Sequence, residues 1–267
     1  MIVLQFMKKK ITIHRTRIGK DIVAEYVVPP TASLRKKGRV AIIAKGVPGG
    51  PGASTFLSFL AEQGFYAILP RYRGTWESAG LFLQNDPTED IKDVLNALKK
   101  PLVSLYEKKE YEFPKNPKVY LMVGSFGGPA GFFLSSDPRV TAVFAYAPVV
   151  DWRVKIKSEP LSEFQKMVNQ IWGEGYRFDP EGMKKLKKGT FYNPATARER
   201  IIGDKVHMFH TKDDDIVVYE PVFQFAQKIG AHMSSYPKGG HGGAGSLMEP
   251  RTWKKVMQAI EKGEGRA

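Results

Sequence analysis

Ser125 stands at the corner of the stretch Val119-Tyr-Leu-Met-Val-Gly-Ser-Phe-Gly-Gly-Pro-Ala-Gly-Phe-Phe-Leu134, which reads as a buried strand, a tight turn and an apolar helix. Such a corner lifts a hydroxyl off the end of a sheet. Only very small neighbours fit beside it, which accounts for Gly127 and Gly128. A serine hydroxyl is a weak nucleophile at neutral pH. It needs a base within hydrogen-bond reach, and the base needs a carboxylate that holds its tautomer. His241 lies in Tyr236-Pro-Lys-Gly-Gly-His-Gly-Gly-Ala244, where glycines on both sides let an imidazole reach back over the corner. Asp213, Asp214 and Asp215 follow a strand at 205–210 and offer the carboxylate. The chemistry of this set is acyl transfer through a covalent intermediate.

A second Gly-rich loop, Lys45-Gly-Val-Pro-Gly-Gly-Pro-Gly-Ala-Ser54, follows an apolar strand at 39–44. It is no P-loop, because no Lys-Ser or Lys-Thr follows the glycines. It is no dinucleotide fingerprint, because Pro48 and Pro51 break the spacing and remove N–H donors. It suits an oxyanion loop. A tetrahedral oxyanion needs two fixed N–H groups, one from the residue after the nucleophile and one from such a loop. Phe126 supplies the first. Pro48 has no N–H, so Val47 is the candidate for the second.

The other histidines do not compete for the base. His14 lies in a hairpin, and His232 opens a strand as a packing residue. His207 and His210 are three apart on one strand, so they face opposite sides and make a poor metal pair. Neither a metal nor a cofactor is expected.

The elements that must position these residues alternate along the chain. Strand patterns cover 11–16, 21–28, 39–44, 66–70, the stretch before Ser125, 140–147, 205–210 and 231–236. Helical patterns cover 55–63, a stretch opened by Asp86 and Pro87, 219–229 and 247–261. Strand–helix alternation predicts an α/β fold with a mostly parallel, eight-stranded sheet flanked by helices. Residues 100–116 have no clear period and are expected to extend the preceding helix. Residues 152–200 break the alternation, with Leu161, Phe164, Val168, Ile171 and Trp172 at helical spacing. They are expected to form a small helical cap over the site, with Trp152, Phe164 and Trp172 near its pocket.

With 267 residues, 42% of them hydrophobic, the chain suits a single α/β domain spanning 1–267. No apolar run is long enough to span a bilayer. The apolar opening precedes its lysines, the reverse of an export signal, and there is no cysteine. Both fit a cytoplasmic protein. The net charge of +14 comes from lysines spread along the chain, which reads as a solvated surface rather than a nucleic-acid site. The expected partner is a small-molecule or short-peptide substrate.

These motifs resemble the α/β-hydrolase superfamily. Lys45-Gly-Val-Pro-Gly-Gly50 is similar to its His-Gly-Gly-Pro-Gly oxyanion segment. Phe65-Tyr-Ala-Ile-Leu-Pro-Arg-Tyr-Arg-Gly74, Gly124-Ser-Phe-Gly-Gly128 and Ala147-Pro-Val-Val-Asp-Trp152 resemble segments of the catalytic domain of the prolyl oligopeptidase family. The resemblance runs from about residue 39 to 245, and 267 residues leave no room for that family's propeller. Its chain order of serine, acid and histidine matches this sequence. Its His-Gly-x-x-Asp pattern falls on His210-Thr-Lys-Asp-Asp214 and implies Asp214 as the acid. Three positions depart from the family pattern: Val123 precedes the corner where a small residue is usual, Lys45 replaces histidine and Thr211 replaces glycine. The resemblance implies a serine hydrolase acting on peptides, or alternatively on small carboxylic esters; the three departures motivate the alternative of a non-catalytic binding protein that keeps the α/β-hydrolase fold.

Overall fold

A computed structural model describes residues 11–154 and 161–265; the apolar opening and its lysines lie outside these. The first strands, β1 (His14–Ile18) and β2 (Ile22–Val27), form the expected hairpin, with Gly19 in the turn at φ 58°. A single turn, α1 (Ala32–Arg35), leads into β3 (Arg39–Ala44), α2 (Ser54–Glu62), β4 (Phe65–Pro70) and α3 (Pro87–Ala97). Asp86 caps α3 by accepting the Thr88 N–H at 2.8 Å, and Pro87 fills the first turn.

Residues 100–116 do not prolong α3. The helix stops at Ala97, and Pro101 prevents its resumption by clashing with the preceding turn. The chain instead makes a small hairpin of β5 (Leu102–Val103) and β6 (Glu110–Tyr111). Tyr111 packs its ring on His14 at a centroid distance of 4.2 Å.

The alternation then continues through β7 (Lys118–Gly124), α4 (Gly128–Leu134) and β8 (Val140–Tyr146). Helices α5 (Phe164–Trp172) and α6 (Pro180–Lys187) lie in the segment between β8 and β9 (Val206–Thr211). The chain finishes with α7 (Tyr219–Ile229), β10 (His232–Tyr236) and α8 (Pro250–Glu264). No helix of the described residues is long and apolar enough to cross a membrane.

Eight strands form one sheet in the order β1-β2-β4-β3-β7-β8-β9-β10. The pairs β1–β2 and β2–β4 are antiparallel, and every pair from β4 to β10 is parallel. Side chains alternate between the two faces. Val40, Ile42, Leu121 and Val143 pack under α3, α4 and α7, while Ala41, Ile43, Tyr120 and Met122 pack under α2 and α8. Both faces are covered, which explains why these strands read as unbroken apolar runs.

The strand order reverses direction between β3 and β7. Loops that leave neighbouring strands on either side of such a reversal diverge, and a crevice opens at the carboxyl ends of the strands. The Gly-rich loop after β3 and the Ser125 corner after β7 therefore sit side by side.

Candidate active site

Ser125 follows β7 directly and opens a 3-10 turn, Ser125–Gly127, that runs into α4. Its φ is +48°, a left-handed conformation that costs a non-glycine residue energy and lifts the side chain out of the sheet. The neighbours permit this only because they are glycines. A Cβ on Gly127 would overlap the carbonyl oxygen of Ala44, and one on Gly124 would overlap the backbone N of Ala244. Val123, two residues before the serine, is accommodated by the helix above it. The space its methyl groups fill is left by Gly131 of α4, where an added Cβ would lie 2.9 Å from Val123 Cγ2.

His241 comes from the loop after β10, and Asp214 from the loop after β9. His241 Nε2 lies 3.1 Å from Ser125 Oγ, and Nδ1 lies 2.9 Å from Asp214 Oδ2. A carboxylate can only accept, so the proton on Nδ1 points to Asp214 and Nε2 is left to accept from the serine hydroxyl. The other oxygen, Asp214 Oδ1, accepts the N–H groups of Ile216 (3.0 Å) and Val217 (2.8 Å), which stops the carboxylate from rotating. The Asp214 side chain is fully buried, while that of His241 is 25% exposed. The line thus runs from a dry carboxylate to an imidazole that solvent can reach. His210 lies beneath it, fully buried, with its Nδ1 3.6 Å from Asp214 Oδ2. Burial pushes the His210 pKa down, with the Asp214 charge opposing.

Asp213 and Thr211 hold the histidine loop, a role that sequence reasoning missed. Asp213 accepts the N–H groups of Gly239 (3.2 Å) and Gly240 (2.9 Å), which lowers its pKa. The Thr211 hydroxyl donates to the Gly240 carbonyl at 2.7 Å. Thr211 therefore adds a tie to the loop that a glycine there could not make.

The loop after β3 approaches from the other side. A Cβ on Gly46 would come within 3.1 Å of Ser125 Cβ. Among the described residues, no acceptor takes the N–H of Val47. Phe126 is the second residue of its 3-10 turn, where the N–H has no partner within the turn. Its ring is buried beside Trp152 and Tyr192, and its carbonyl accepts from Tyr192 Oη at 2.9 Å. The Lys45 ammonium folds back and donates to the carbonyls of Gly50 (2.6 Å) and Gly52 (3.0 Å). Burial lowers its pKa, partly offset by Glu25. Lysine here closes the loop on itself, and Tyr72 fixes its root through a 2.9 Å bond to the Lys45 carbonyl.

Two hollows meet at Ser125. One is apolar and lined by Val47, Phe126, Val149, Trp152, Leu161 and Phe164. The other runs along the Gly-rich loop past Pro48, Phe56, His241 and Gly243. Ile216 lines both. The carboxylate in the apolar hollow, Asp151, is already engaged by Arg153 (2.8 Å to both oxygens) and Asn193 (3.0 Å). Trp152 and Phe164 thus reach the hollow beside Ser125, and Trp172 does not. Phe164 and Trp172 are at opposite ends of α5, roughly 12 Å apart along its axis. Trp172 packs edge-on against Trp76, 5.5 Å between centroids, and lies over Gly50.

The remaining histidines are apart from this arrangement. His207 stacks on Phe144 and His232, with centroids 5.1 and 4.6 Å away, on the sheet face opposite His210. Among the described residues no three His, Asp or Glu side chains cluster to hold a metal ion.

No protein-family model matches the chain, and no match was found among curated proteins. Solved structures do match. An acylaminoacyl peptidase of Pyrococcus horikoshii aligns at TM-score 0.57 and 12% identity, over 96% of this chain and 41% of that one. The chain therefore spans about two-fifths of that peptidase's length. An esterase of Pyrococcus furiosus aligns at TM-score 0.66 and 13% identity, over 95% and 91% of the two chains. An α/β-hydrolase enzyme from the metagenome of Mar Chica lagoon sediments aligns at TM-score 0.59 and 13% identity, over 94% and 99%. The fold is that of the α/β-hydrolases.

Proposed function

We propose that the chain is a serine hydrolase that cleaves ester or amide bonds through an acyl-enzyme. The observation that carries this reading is the continuous hydrogen-bond line from Ser125 Oγ through His241 to Asp214, opening on an apolar hollow. Ser125 Oγ attacks the substrate carbonyl carbon while its proton passes to His241 Nε2. Asp214 keeps the other ring proton on Nδ1 and stabilises the imidazolium. The tetrahedral oxyanion is held by the N–H groups of Val47 and Phe126. Collapse breaks the bond to the leaving alcohol or amine, which takes the proton from His241. Water then attacks the Ser125 ester by the same route in reverse, and the acid leaves.

The acyl group sits against Val149, Trp152, Leu161 and Phe164. Asp151 is neutralised by Arg153, so this hollow suits an apolar acyl group rather than a free amino terminus. Two substrate classes fit: small carboxylic esters, and acylated amino acids or short blocked peptides. The likeness to the esterase, matched over most of its length, supports the first. The likeness to the acylaminoacyl peptidase supports the second.

A fluorophosphonate probe and two substrates, a 4-nitrophenyl ester and an N-acyl-aminoacyl anilide, test the proposal. The wild type should be labelled and should turn over at least one substrate. Ser125→Ala should abolish labelling, and Ser125→Ala and His241→Ala should each lower turnover roughly 10⁴–10⁶-fold. The double variant should be no worse than either single one, because the residues act as a unit. An unlabelled wild type, or losses that multiply, would sink the triad assignment.

A further inference from the structure

The Gly-rich loop after β3 has no regular structure and few side chains with which to hold itself. Its backbone must be fixed from outside if Val47 is to present an N–H at a constant place. Beyond the root that Lys45 and Tyr72 hold, Gly49 is where this happens. Its N–H donates to Tyr176 Oη at 2.9 Å, and the same hydroxyl donates to the Gly49 carbonyl at 2.9 Å. Trp76 Nε1 reaches that carbonyl as well, at 3.2 Å. Only Pro48, whose ring fixes its φ, separates Gly49 from Val47, so the placement of one is passed to the other.

Tyr176 is itself held firmly. It lies between α5 and α6 and pairs with Thr75 in an antiparallel bridge. Around it, the Trp76 N–H donates to the Gly175 carbonyl (2.8 Å), and the Arg177 N–H donates to that of Gly74 (2.8 Å). Its ring is buried against Trp76 and Phe82. Burial pushes the phenol pKa up, so the hydroxyl keeps the proton that it donates.

We propose that Tyr176 is a positioning residue for the oxyanion loop, and that through it the segment between β8 and β9 sets how well the Val47 N–H meets the transition state. This rests on the hydrolase reading above. The hydroxyl touches neither substrate nor reacting atoms. It acts through Gly49, and its loss should be felt when negative charge develops on the carbonyl oxygen, not when substrate binds.

Tyr176→Phe removes one oxygen and keeps the buried ring. The test compares it with the wild type on a 4-nitrophenyl ester and with an alkyl trifluoromethyl ketone, which adds to the serine as a tetrahedral mimic. Expected are a kcat lower by roughly ten- to a hundredfold and a KM within about twofold. The ketone should bind more weakly by a factor similar to the loss in kcat. Hydrogen exchange at the Gly49 amide should quicken. A purely structural role would instead raise KM and lower the unfolding temperature while leaving kcat and ketone affinity in place, and that result would overturn the proposal. Should Tyr176→Phe fail to fold, Trp76→Phe removes the other side-chain bond to Gly49 and should show the same split to a smaller degree; an unchanged kcat there counts against the proposal. Activity in the wild type that is lost in Ser125→Ala but unaltered in Tyr176→Phe would remove this inference alone. An inactive wild type would remove the hydrolase reading and this role with it.

Discussion

Asp213 and Asp214 are adjacent, yet their carboxylates grip two different points of one loop: Asp214 Oδ2 meets His241 Nδ1 at 2.9 Å, and Asp213 accepts the N–H groups of Gly239 and Gly240. One orients the imidazole, and the other holds the chain that carries it. Asp214→Asn should lower turnover roughly 10³–10⁴-fold, because an amide favours the wrong tautomer of His241. Asp213→Ala should cost roughly tenfold or less, since Thr211 still holds the Gly240 carbonyl. Steady-state kinetics on the pair check the ranking, and a reversed order would move the acid to Asp213.

The oxyanion assignment is tested by a substitution that deletes a backbone donor. Val47→Ala keeps the N–H and should retain most activity. Val47→Pro removes it and should cost roughly 3 kcal/mol of transition-state stabilisation, about a hundredfold or more in kcat, with the Phe126 N–H still in place. Thermal unfolding of both variants separates this from loss of fold. Near-wild-type turnover in a folded Val47→Pro would pass the role to Gly46, since the Gly49 N–H is already given to Tyr176.

The apolar hollow should set a chain-length limit. In a series of 4-nitrophenyl esters, kcat/KM should rise by up to about fourfold for each added methylene and then fall once the hollow is full. Phe164→Ala enlarges it and should shift the optimum to longer acyl groups. An optimum that stays at the same length in Phe164→Ala would show that another wall sets the limit.

Stability should fall as pH drops below neutrality. Burial holds the pKa of His14, His207 and His210 below the ordinary 6.5, with His207 taken down to about 4 by burial and its neighbour His232. Between the lowered values and 6.5 the unfolded chain binds protons that the folded chain refuses, so acid favours unfolding. The folded state keeps its full advantage above about pH 6.5. The unfolding temperature should decline from pH 7 to pH 5, with a shallower decline in His207→Gln. A midpoint that is flat or rises over this range would contradict the burial of these rings.

The sheet and the positions of Ser125, Asp214 and His241 were legible because each rests on local pattern. The strands are apolar runs, the corner carries its glycines, and Asp214 and His241 follow strand ends. The hairpin at β5 and β6 was not legible, since two-residue strands leave no period to read. Trp172 was misplaced because its helical spacing matched that of Phe164, whereas the distance along α5 put it over Gly50. Asp213, Tyr176 and Trp76 were invisible for another reason. Each acts on a backbone group far away in sequence, 127 positions in the case of Tyr176 and Gly49, and nothing in the residue type marks such a partner. The departures at Val123, Lys45 and Thr211 are resolved only by three-dimensional neighbours: Gly131, the Gly50 and Gly52 carbonyls, and the Gly240 carbonyl.

The overlap that any Cβ on Gly124 would make with Ala244 means that the strand end bearing Ser125 and the loop bearing His241 touch main chain to main chain. No deformable side chain lies between them as a cushion. Drift among the residues around the site can therefore leave the oxygen-to-nitrogen gap untouched, while a single methyl group at position 124 acts as a wedge. Gly124→Ala would part Ser125 from His241 with every side-chain atom of both still present, a site disabled by spacing rather than by subtraction.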